Sequence, residues 1–260
     1  MPALPPVFVS HGSPLLLLDP GATGAAWQRL AAGLPRPRAI LAVSAHWTAP
    51  APTVGAAPQP ATIHDFYGFP DPLYEIGYPA PGSPELAARV TSLIPGVRVD
   101  PQRGLDHGAW SPLSLMYPAA DIPVCQFAVM PGADASAHFE LGRRLAPLAR
   151  EGVLVFASGS LTHNLGDMVR DAPEDAALRH VAEFSDWFAA RLAANEIGAL
   201  LDWETVAPHA RRAHPTPEHL LPLFVALGAA GPTPDASAVH RGYQFGALAM
   251  DAWRFDPGGG

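Results

Sequence analysis

Short apolar segments alternate with segments of helical pattern along most of this chain of 260 residues. The apolar segments are rich in Val, Ile, Leu, Phe and Ala, which is typical of strands buried on both faces. We predict strands at residues 7–10, 39–44, 97–100, 124–129, 153–157 and near 244–250. This alternation predicts an α/β fold, with three α/β/α layers around a largely parallel, mixed central sheet. No domain boundary is visible, so we expect a single domain over residues 1–260.

Helices are predicted between these strands from their start and stop signals. An N-cap residue followed by a first-turn proline marks three helix starts, at Ser83-Pro84, Ser111-Pro112 and Thr216-Pro217. The helix that starts at Thr216-Pro217 should run to about residue 227. Further helices are predicted over residues 23–34, 136–150 and 174–195. The alternation of strand and helix patterns is absent from residues 49–81, which are rich in Pro, Gly and aromatic residues. We predict that this long loop contributes to a functional site.

Three histidines follow predicted strands. His11 comes directly after the first strand, His46 shortly after the second, and His163 shortly after the strand at 153–157. Parallel strands end at one edge of a sheet, which is where open α/β sheets build their sites. Because imidazole is the commonest metal-binding side chain, the sequence predicts a metalloenzyme with its site at this edge.

Other histidines have less regular settings. His214 precedes Pro215, which restricts its backbone to an extended form and makes it a fourth candidate ligand. His107 lies between an aspartate and a glycine and is a candidate acid or base, while His64 lies in the long loop. We expect Glu218 to favour a helix start rather than to bind metal. The remaining histidines are expected to be structural or on the surface: His138, His180, His209 and His240.

The residue types narrow the chemistry further. A histidine set without cysteine indicates zinc or non-haem iron rather than an iron–sulfur or thiolate site. Lysine is absent, which excludes a Schiff-base lysine and a phosphate-loop lysine. The single cysteine, Cys125, excludes a disulfide within the chain and is expected to be a buried, inert thiol. No G-x-S-x-G elbow is present, which argues against a serine hydrolase.

Charge and hydropathy exclude other classes of partner. The formal net charge is −8 and the arginines are scattered, which argues against a nucleic-acid surface. No apolar stretch approaches the length of a membrane span, and no signal-peptide pattern is visible. We therefore expect a cytoplasmic protein without a membrane partner, and the oligomeric state stays open.

Seven short motifs follow one another along nearly the whole chain. They are Ser10-His11-Gly12-Ser13-Pro14, Ser44-Ala45-His46-Trp47, Ile63-His64-Asp65-Phe66-Tyr67-Gly68-Phe69-Pro70, Tyr78-Pro79-Ala80-Pro81-Gly82, Leu105-Asp106-His107-Gly108-Ala109-Trp110, Ser158-Gly159-Ser160-Leu161-Thr162-His163-Asn164-Leu165 and His214-Pro215-Thr216-Pro217-Glu218-His219. Each motif is short, but the ordered set is specific. It resembles the 4,5-DOPA extradiol dioxygenase family, within the class III extradiol ring-cleavage dioxygenases.

The resemblance implies a fold like that of the catalytic subunit of protocatechuate 4,5-dioxygenase. It also implies a metal bound by His11, His46 and His214, with His163 either a further ligand or the active-site base. Fe(II) is expected for catalysis, and Zn(II) is expected as the metal found in purified protein. Better-known members of the class use two histidines and one glutamate, so His214 would here take the place of the carboxylate.

The implied activity is the opening of the ring of a catechol, such as DOPA, with O2. His163 would take a phenolic proton, and His107 would supply a proton later in the reaction. His64, Tyr67 and Trp47 are expected to contact the substrate, and Phe66 is a further candidate for the pocket wall. Two alternatives stay open on the same scaffold: a zinc-dependent hydrolase and a non-enzymatic metal-binding protein.

Overall fold

The computed structural model describes residues 3–173 and 175–258, and a mixed β-sheet forms its centre. The strands of the described residues are β1 (Val7–Ser10), β2 (Ala39–Thr48), β3 (Thr53–Gly55), β4 (Arg98–Asp100), β5 (Val124–Val129), β6 (Val153–Gly159), β7 (Asp235–His240), β8 (Tyr243–Gln244), β9 (Leu248–Ala249) and β10 (Ala252–Asp256).

Eight of these strands form one sheet in the order β4-β3-β5-β2-β6-β1-β10-β7. The central strands β5, β2, β6 and β1 run parallel to one another. Antiparallel pairing occurs on either side of them, where β10 joins β1 and β7, and where β3 joins β5. The prediction of a largely parallel, mixed sheet is confirmed.

Helices cover both faces of this sheet. They are α1 (Gly21–Gly33), α2 (Pro72–Glu75), α3 (Pro84–Leu93), α4 (His107–Met116), α5 (Ala135–Leu145), α6 (Pro147–Arg150), α7 (Arg179–Ala193), α8 (Ile197–Leu201), α9 (Trp203–Val206), α10 (Ala210–Ala213) and α11 (Leu221–Ala229). Short 3-10 turns occur at Pro14–Leu17 and Leu165–Asp167.

The hydrophobic core divides into two clusters, one on each face of the sheet. On β2, Leu41 and Val43 belong to the cluster that α3, α5, α7 and α11 cover, whereas Ile40 and Ala42 belong to the cluster that α1 and α4 cover. Successive residues of a strand point to opposite faces, so a fully apolar strand must be covered on both sides. This burial explains why the strand segments are continuous apolar runs and confirms the three-layer arrangement.

The end of the chain differs from the prediction. The strand predicted near residues 244–250 does not join the sheet, because β8 and β9 pair there as a short antiparallel hairpin. The chain reaches the sheet through β7 and β10 instead. β7 lies at the sheet edge and is largely exposed, so it has no apolar run that would reveal it from sequence.

Three helix starts also differ. The helix predicted from residue 174, which lies outside the described residues, begins at Arg179. The predicted start at Ser111-Pro112 is wrong, because α4 begins at His107, where the Asp106 side chain accepts the N–H of Ala109. The last helix begins at Leu221, four residues after its predicted first residue, Pro217. Residues 215–220 form turns instead, and these turns carry His219 toward the sheet.

Close contact between α5 and α11 depends on glycine. A Cβ atom added to Gly228 would lie 2.0 Å from the carbonyl oxygen of Phe139 on the facing helix. We expect Gly228→Ala to lower the free energy of unfolding by about 2 kcal/mol, because the two backbones would have to separate. Gly198→Ala is the matched control, since nothing lies within 4 Å of its added Cβ. Equal denaturant midpoints for the two variants would contradict this interpretation.

No helix within residues 3–173 and 175–258 is long and apolar enough to cross a bilayer.

Candidate metal centre

Three histidine rings meet beyond the carboxyl ends of the central strands. His11 follows β1, His46 lies near the end of β2, and His219 lies in the turn before α11. The Nε2 atom of His46 lies 3.1 Å from Nε2 of His11 and 3.3 Å from Nε2 of His219. One nitrogen atom from each ring lies within 4.8 Å of the others, which is the spacing of ligands around one metal ion.

The other ring nitrogen of each histidine, Nδ1, has its own polar partner. These partners are Ser158 Oγ at 3.1 Å for His11, Asp65 Oδ2 at 3.3 Å for His46, and Glu218 Oε1 at 3.1 Å for His219. Metal-binding histidines commonly donate their second nitrogen in this way, which sets the ring orientation and the tautomer.

These partners determine which nitrogen carries the proton. A carboxylate only accepts hydrogen bonds, and the Ser158 hydroxyl already donates to the carbonyl of Gly108, so Nδ1 is the donor in all three rings. Burial and the neighbouring histidines lower the pKa of both His11 and His219, which favours neutral rings. Three Nε2 lone pairs therefore face one another at close range. That arrangement is repulsive without a cation, and it fits a divalent metal with imidazole ligands.

Backbone features hold the three ligands in place. Pro112 in α4 has no N–H to donate to the carbonyl of Gly108, which is therefore free to accept from Ser158. Gly159 ends β6, and a Cβ there would lie 2.0 Å from the His219 carbonyl oxygen, so only glycine admits the turn that carries His219. The N–H of Ser160 donates to that same carbonyl at 2.8 Å.

Asp65 lies between His46 and His107 and was not among the predicted site residues. One carboxylate oxygen pairs with Nδ1 of His46, and the other accepts both Nδ1–H and the backbone N–H of His107, at 3.0 and 2.8 Å. Burial raises the pKa of Asp65, but the hydrogen bonds from His107 and His46 outweigh it and hold that pKa well below the usual range. Its place in the motif at residues 63–70, directly after His64, was the available signal.

Replacing Asp65 should disturb two histidines at once. We expect Asp65→Ala to weaken metal binding by about 10–100-fold, the usual effect of losing an outer partner of a ligand histidine. Asp65→Asn should lose less metal affinity than Asp65→Ala, because its amide oxygen can still accept a hydrogen bond from one histidine ring. Competition with a chromophoric chelator measures both affinities. Unchanged affinity in Asp65→Ala would contradict a role for Asp65 in orienting His46.

His107 and His163 border the same cavity as His11 and His46. The cavity has a volume of about 230 Å³ and lies next to the metal-ligand atoms. The ring of His163 stacks on His219, with centroids 3.4 Å apart and planes 7° apart. Burial, followed by the influence of His214 and His46, lowers the pKa of His163 to about 4. The structure therefore brings both predicted proton-transfer residues to one cavity with His11 and His46.

The structure places His214 apart from His11 and His46, with which it was predicted to bind metal. Its Nε2 donates to the carbonyl of Leu161 at 2.8 Å, and its ring packs against Phe184 and Trp203. It is not among the metal-ligand groups of the described residues, and its place beside His11 and His46 is taken by His219. The motif contains both histidines, and its pattern did not reveal which one the turns direct toward the strand ends.

The three predicted substrate contacts lie outside the cavity that His11 and His46 border. His64 bonds to the carbonyl of Ile76 and packs in an aromatic cluster, Tyr67 is 87% exposed, and Trp47 is buried beneath the guanidinium of Arg103. These three do not line the cavity described above, whereas Phe66 does. Alternation in an extended segment accounts for the exposure of Tyr67 next to the cavity residue Phe66, whereas Trp47 lies on β2 outside the loop.

Comparison with known proteins shows the family of this chain. Residues 7–249 match the family model described as the catalytic LigB subunit of aromatic ring-opening dioxygenase. A Beta vulgaris protein named 4,5-DOPA dioxygenase extradiol is 41% identical over 257 residues, which cover 95% of each chain. An Escherichia coli protein of the same name is 39% identical over 256 residues, which cover 95% of this chain and 93% of the relative.

The fold comparison agrees with the sequence comparison. The crystal structure of an uncharacterized protein from Escherichia coli K12 superposes with a TM-score of 0.82 and 34% identity, covering 96% of this chain and 99% of that one. The matches confirm the predicted resemblance and the predicted class of enzyme, an extradiol dioxygenase. The chain belongs to the LigB family of catalytic subunits of aromatic ring-opening dioxygenases.

Proposed function

We propose that this enzyme opens the ring of a catechol with O2, using a metal ion held by His11, His46 and His219. The observation that carries the proposal is the convergence of three Nε2 lone pairs beside a cavity that two further histidines border. A ring-opening dioxygenase needs a small aromatic substrate and O2 in such a cavity. The names of the relatives make DOPA the first catechol to test.

The proposed catalytic metal is Fe(II). When bound, a ferrous ion supplies the one-electron chemistry that allows O2 to react with an aromatic ring. Imidazole ligands also suit Zn(II), which we expect in protein purified without added iron. Metal analysis of freshly purified protein distinguishes the two.

The chain's own residues would handle the protons. We assign His163 as the base that removes a phenolic proton, because its ring borders the cavity without belonging to the group that contains His11 and His46. His107 has its Nδ1–H held by Asp65, which leaves Nε2 as the atom that exchanges a proton with the substrate. The apolar wall at Phe66 and Phe69 would exclude water from the reacting ring.

The direct test is anaerobic reconstitution with Fe(II), followed by addition of catechols and O2. We expect one O2 consumed per catechol and a yellow ring-opened product, with no uptake by apoprotein or by protein loaded with Zn(II). Absence of uptake across a broad catechol panel, with iron shown to be bound, would refute the proposal. Ester or amide turnover by zinc-loaded protein, lost on chelation, would favour a zinc hydrolase instead, which the all-nitrogen ligand set also suits.

The proposed location is the cytoplasm. Cys125 is buried with its thiol directed to the carbonyl of Ser83, and burial raises its pKa to about 11, so it suits an unreactive thiol in a reducing compartment. The net charge of −8 supports the absence of a nucleic-acid partner.

A further inference from the structure

Asp106 is a fully buried aspartate that caps α4 and lies outside the lining of the cavity. Its Oδ1 atom accepts the Ser44 hydroxyl at 2.6 Å and the backbone N–H of Ala109 at 3.2 Å. Its Oδ2 atom accepts hydrogen bonds from Arg103 Nη2 and Gln126 Nε2, both at 2.6 Å. A buried carboxylate is tolerated when its oxygens are paired in this way, so these bonds fix the position of Asp106.

The partners of Asp106 come from separate segments of the fold. Ser44 lies on β2, Gln126 lies on the neighbouring strand β5, and Arg103 lies in the loop before α4. The backbone N–H of Asp106 also donates to Gln126 Oε1 at 2.9 Å. The side chain that caps α4 therefore binds the start of this helix to two central strands of the sheet.

The start of α4 lies directly against the metal-ligand histidines. A Cβ atom added to Gly108 would lie 2.5 Å from Ser44 Oγ and 3.0 Å from Cδ2 of the His46 ring. The ring centroid of His107 lies 4.0 Å from that of His46 and 5.4 Å from that of His11. A small shift of α4 would therefore change the position of His107 relative to the metal-ligand atoms.

Asp65 and Asp106 support His107 in different ways. Asp65 accepts the Nδ1–H of His107 from the long loop, and the Asp65 side chain is 25% exposed. Asp106 is buried and bound to two strands, so it fixes the backbone from which the His107 ring projects. Precise placement matters for a proton-transfer group, because a displacement of about 1 Å can lower a rate about 100-fold.

We propose that Asp106 is a positioning residue for the ring-opening reaction and that it acts through His107. This inference rests on the proposed function, in which Nε2 of His107 exchanges a proton with the substrate. By binding the start of α4 to β2 and β5, Asp106 keeps that atom at the cavity without lining the cavity itself.

Asp106→Asn tests the proposal. An asparagine side chain has one accepting oxygen, so some of the donors around residue 106 would face an NH2 group and the start of α4 would shift. With the iron-loaded enzyme, we expect kcat to fall about 10–100-fold, while KM for the catechol and the iron content stay within about twofold of wild type. This split follows because residue 106 acts on a proton-transfer group, whereas substrate and metal are held by other residues.

Asp251→Asn is the matched control. Asp251 is also fully buried and also pairs with a serine and an arginine, Ser185 and Arg241, none of which lines the cavity. The control should lose stability and keep the wild-type kcat. Equal falls of kcat in the two variants, or no fall in Asp106→Asn, would overturn the inference. A fall in iron content that matches the fall in kcat would also overturn it, because Asp106 would then act through the metal ligands.

A double-mutant cycle identifies the residue through which Asp106 acts. In a His107→Ala background, Asp106→Asn should lower kcat by less than about twofold, because the group that it positions is already absent. If the two substitutions lower kcat independently, so that their effects multiply, Asp106 does not act through His107 and the inference is overturned.

A measurement that needs no turnover examines the same contact. In the zinc-loaded protein, the Nδ1–H of His107 is bound to Asp65 and should give a proton NMR resonance downfield of the backbone amides, absent from His107→Ala. We expect this resonance to move or broaden in Asp106→Asn and to keep its position in Asp251→Asn. An unchanged resonance in Asp106→Asn would contradict a positioning role.

Ser44→Ala keeps the inference testable if Asp106→Asn does not fold. It removes the hydroxyl that binds Asp106 to β2, so it should shift the His107 resonance and lower kcat about 3–10-fold, the effect of one lost hydrogen bond. Wild-type values of both would overturn the inference. No turnover of any catechol by the iron-loaded wild type would refute the proposed function, while the resonance would still show whether Asp106 positions His107.

Discussion

Replacing His219 with alanine should remove the metal site, while replacing His214 should leave it in place. His219 contributes one of three converging Nε2 atoms, so its loss should weaken metal binding by more than the roughly 10–100-fold that follows loss of an outer partner. Turnover should fall with metal content. Metal analysis after gel filtration, together with O2 uptake at saturating Fe(II), measures both effects.

His214→Phe is the matched control for this variant. It keeps an aromatic ring between Phe184 and Trp203 and removes only the hydrogen bond to the carbonyl of Leu161. We expect it to retain stoichiometric metal and to lose about 1–3 kcal/mol of stability, because a buried carbonyl is left without its donor. Free imidazole should restore part of the metal binding of His219→Ala by filling the space. Metal loss in His214→Phe with retention in His219→Ala would reverse the assignment.

Replacing His163 should abolish turnover while metal stays bound. A positioned base typically contributes 10²–10⁴-fold to a rate, so kcat for a good substrate should fall by about that factor in His163→Ala. His163→Phe keeps a ring against His219, whose centroid is 3.4 Å away in the native stack. Comparison of His163→Phe with His163→Ala therefore separates the loss of the His163 base from the loss of the ring that supports His219.

Metal content distinguishes the two roles that the sequence leaves open for His163. If both variants keep metal and lose turnover, His163 acts as the base. If metal content falls in step with activity in both, His163 is a ligand, and the group it forms with Glu218 and His219 would be the relevant one. Loss of metal in His163→Ala alone would indicate that the stacked ring supports His219.

The sequence was sufficient for the central strands and the architecture. Strands buried on both faces must be continuous apolar runs, so β1, β5 and the cores of β2 and β6 are visible without any tertiary information. Strand β7 was missed because an edge strand with an exposed face leaves no such run. Strand β10 lies inside the sheet between β1 and β7, and it was missed because the last strand was predicted near residues 244–250 instead. Local patterns also misplaced the start of α4, where Asp106 rather than Ser111 supplies the cap.

For the site, the order of strands and histidines already indicated that His11, His46 and His163 would share one edge of a parallel sheet. That follows from local signals, because a strand and the residue after it are adjacent in the chain. The choice of His219 over His214, and the bridge that Asp65 makes between His46 and His107, depend on contacts between segments far apart in sequence. Those contacts follow from the space that Gly159 leaves for the His219 turn and from the direction in which each loop side chain points, and neither is encoded in a local pattern.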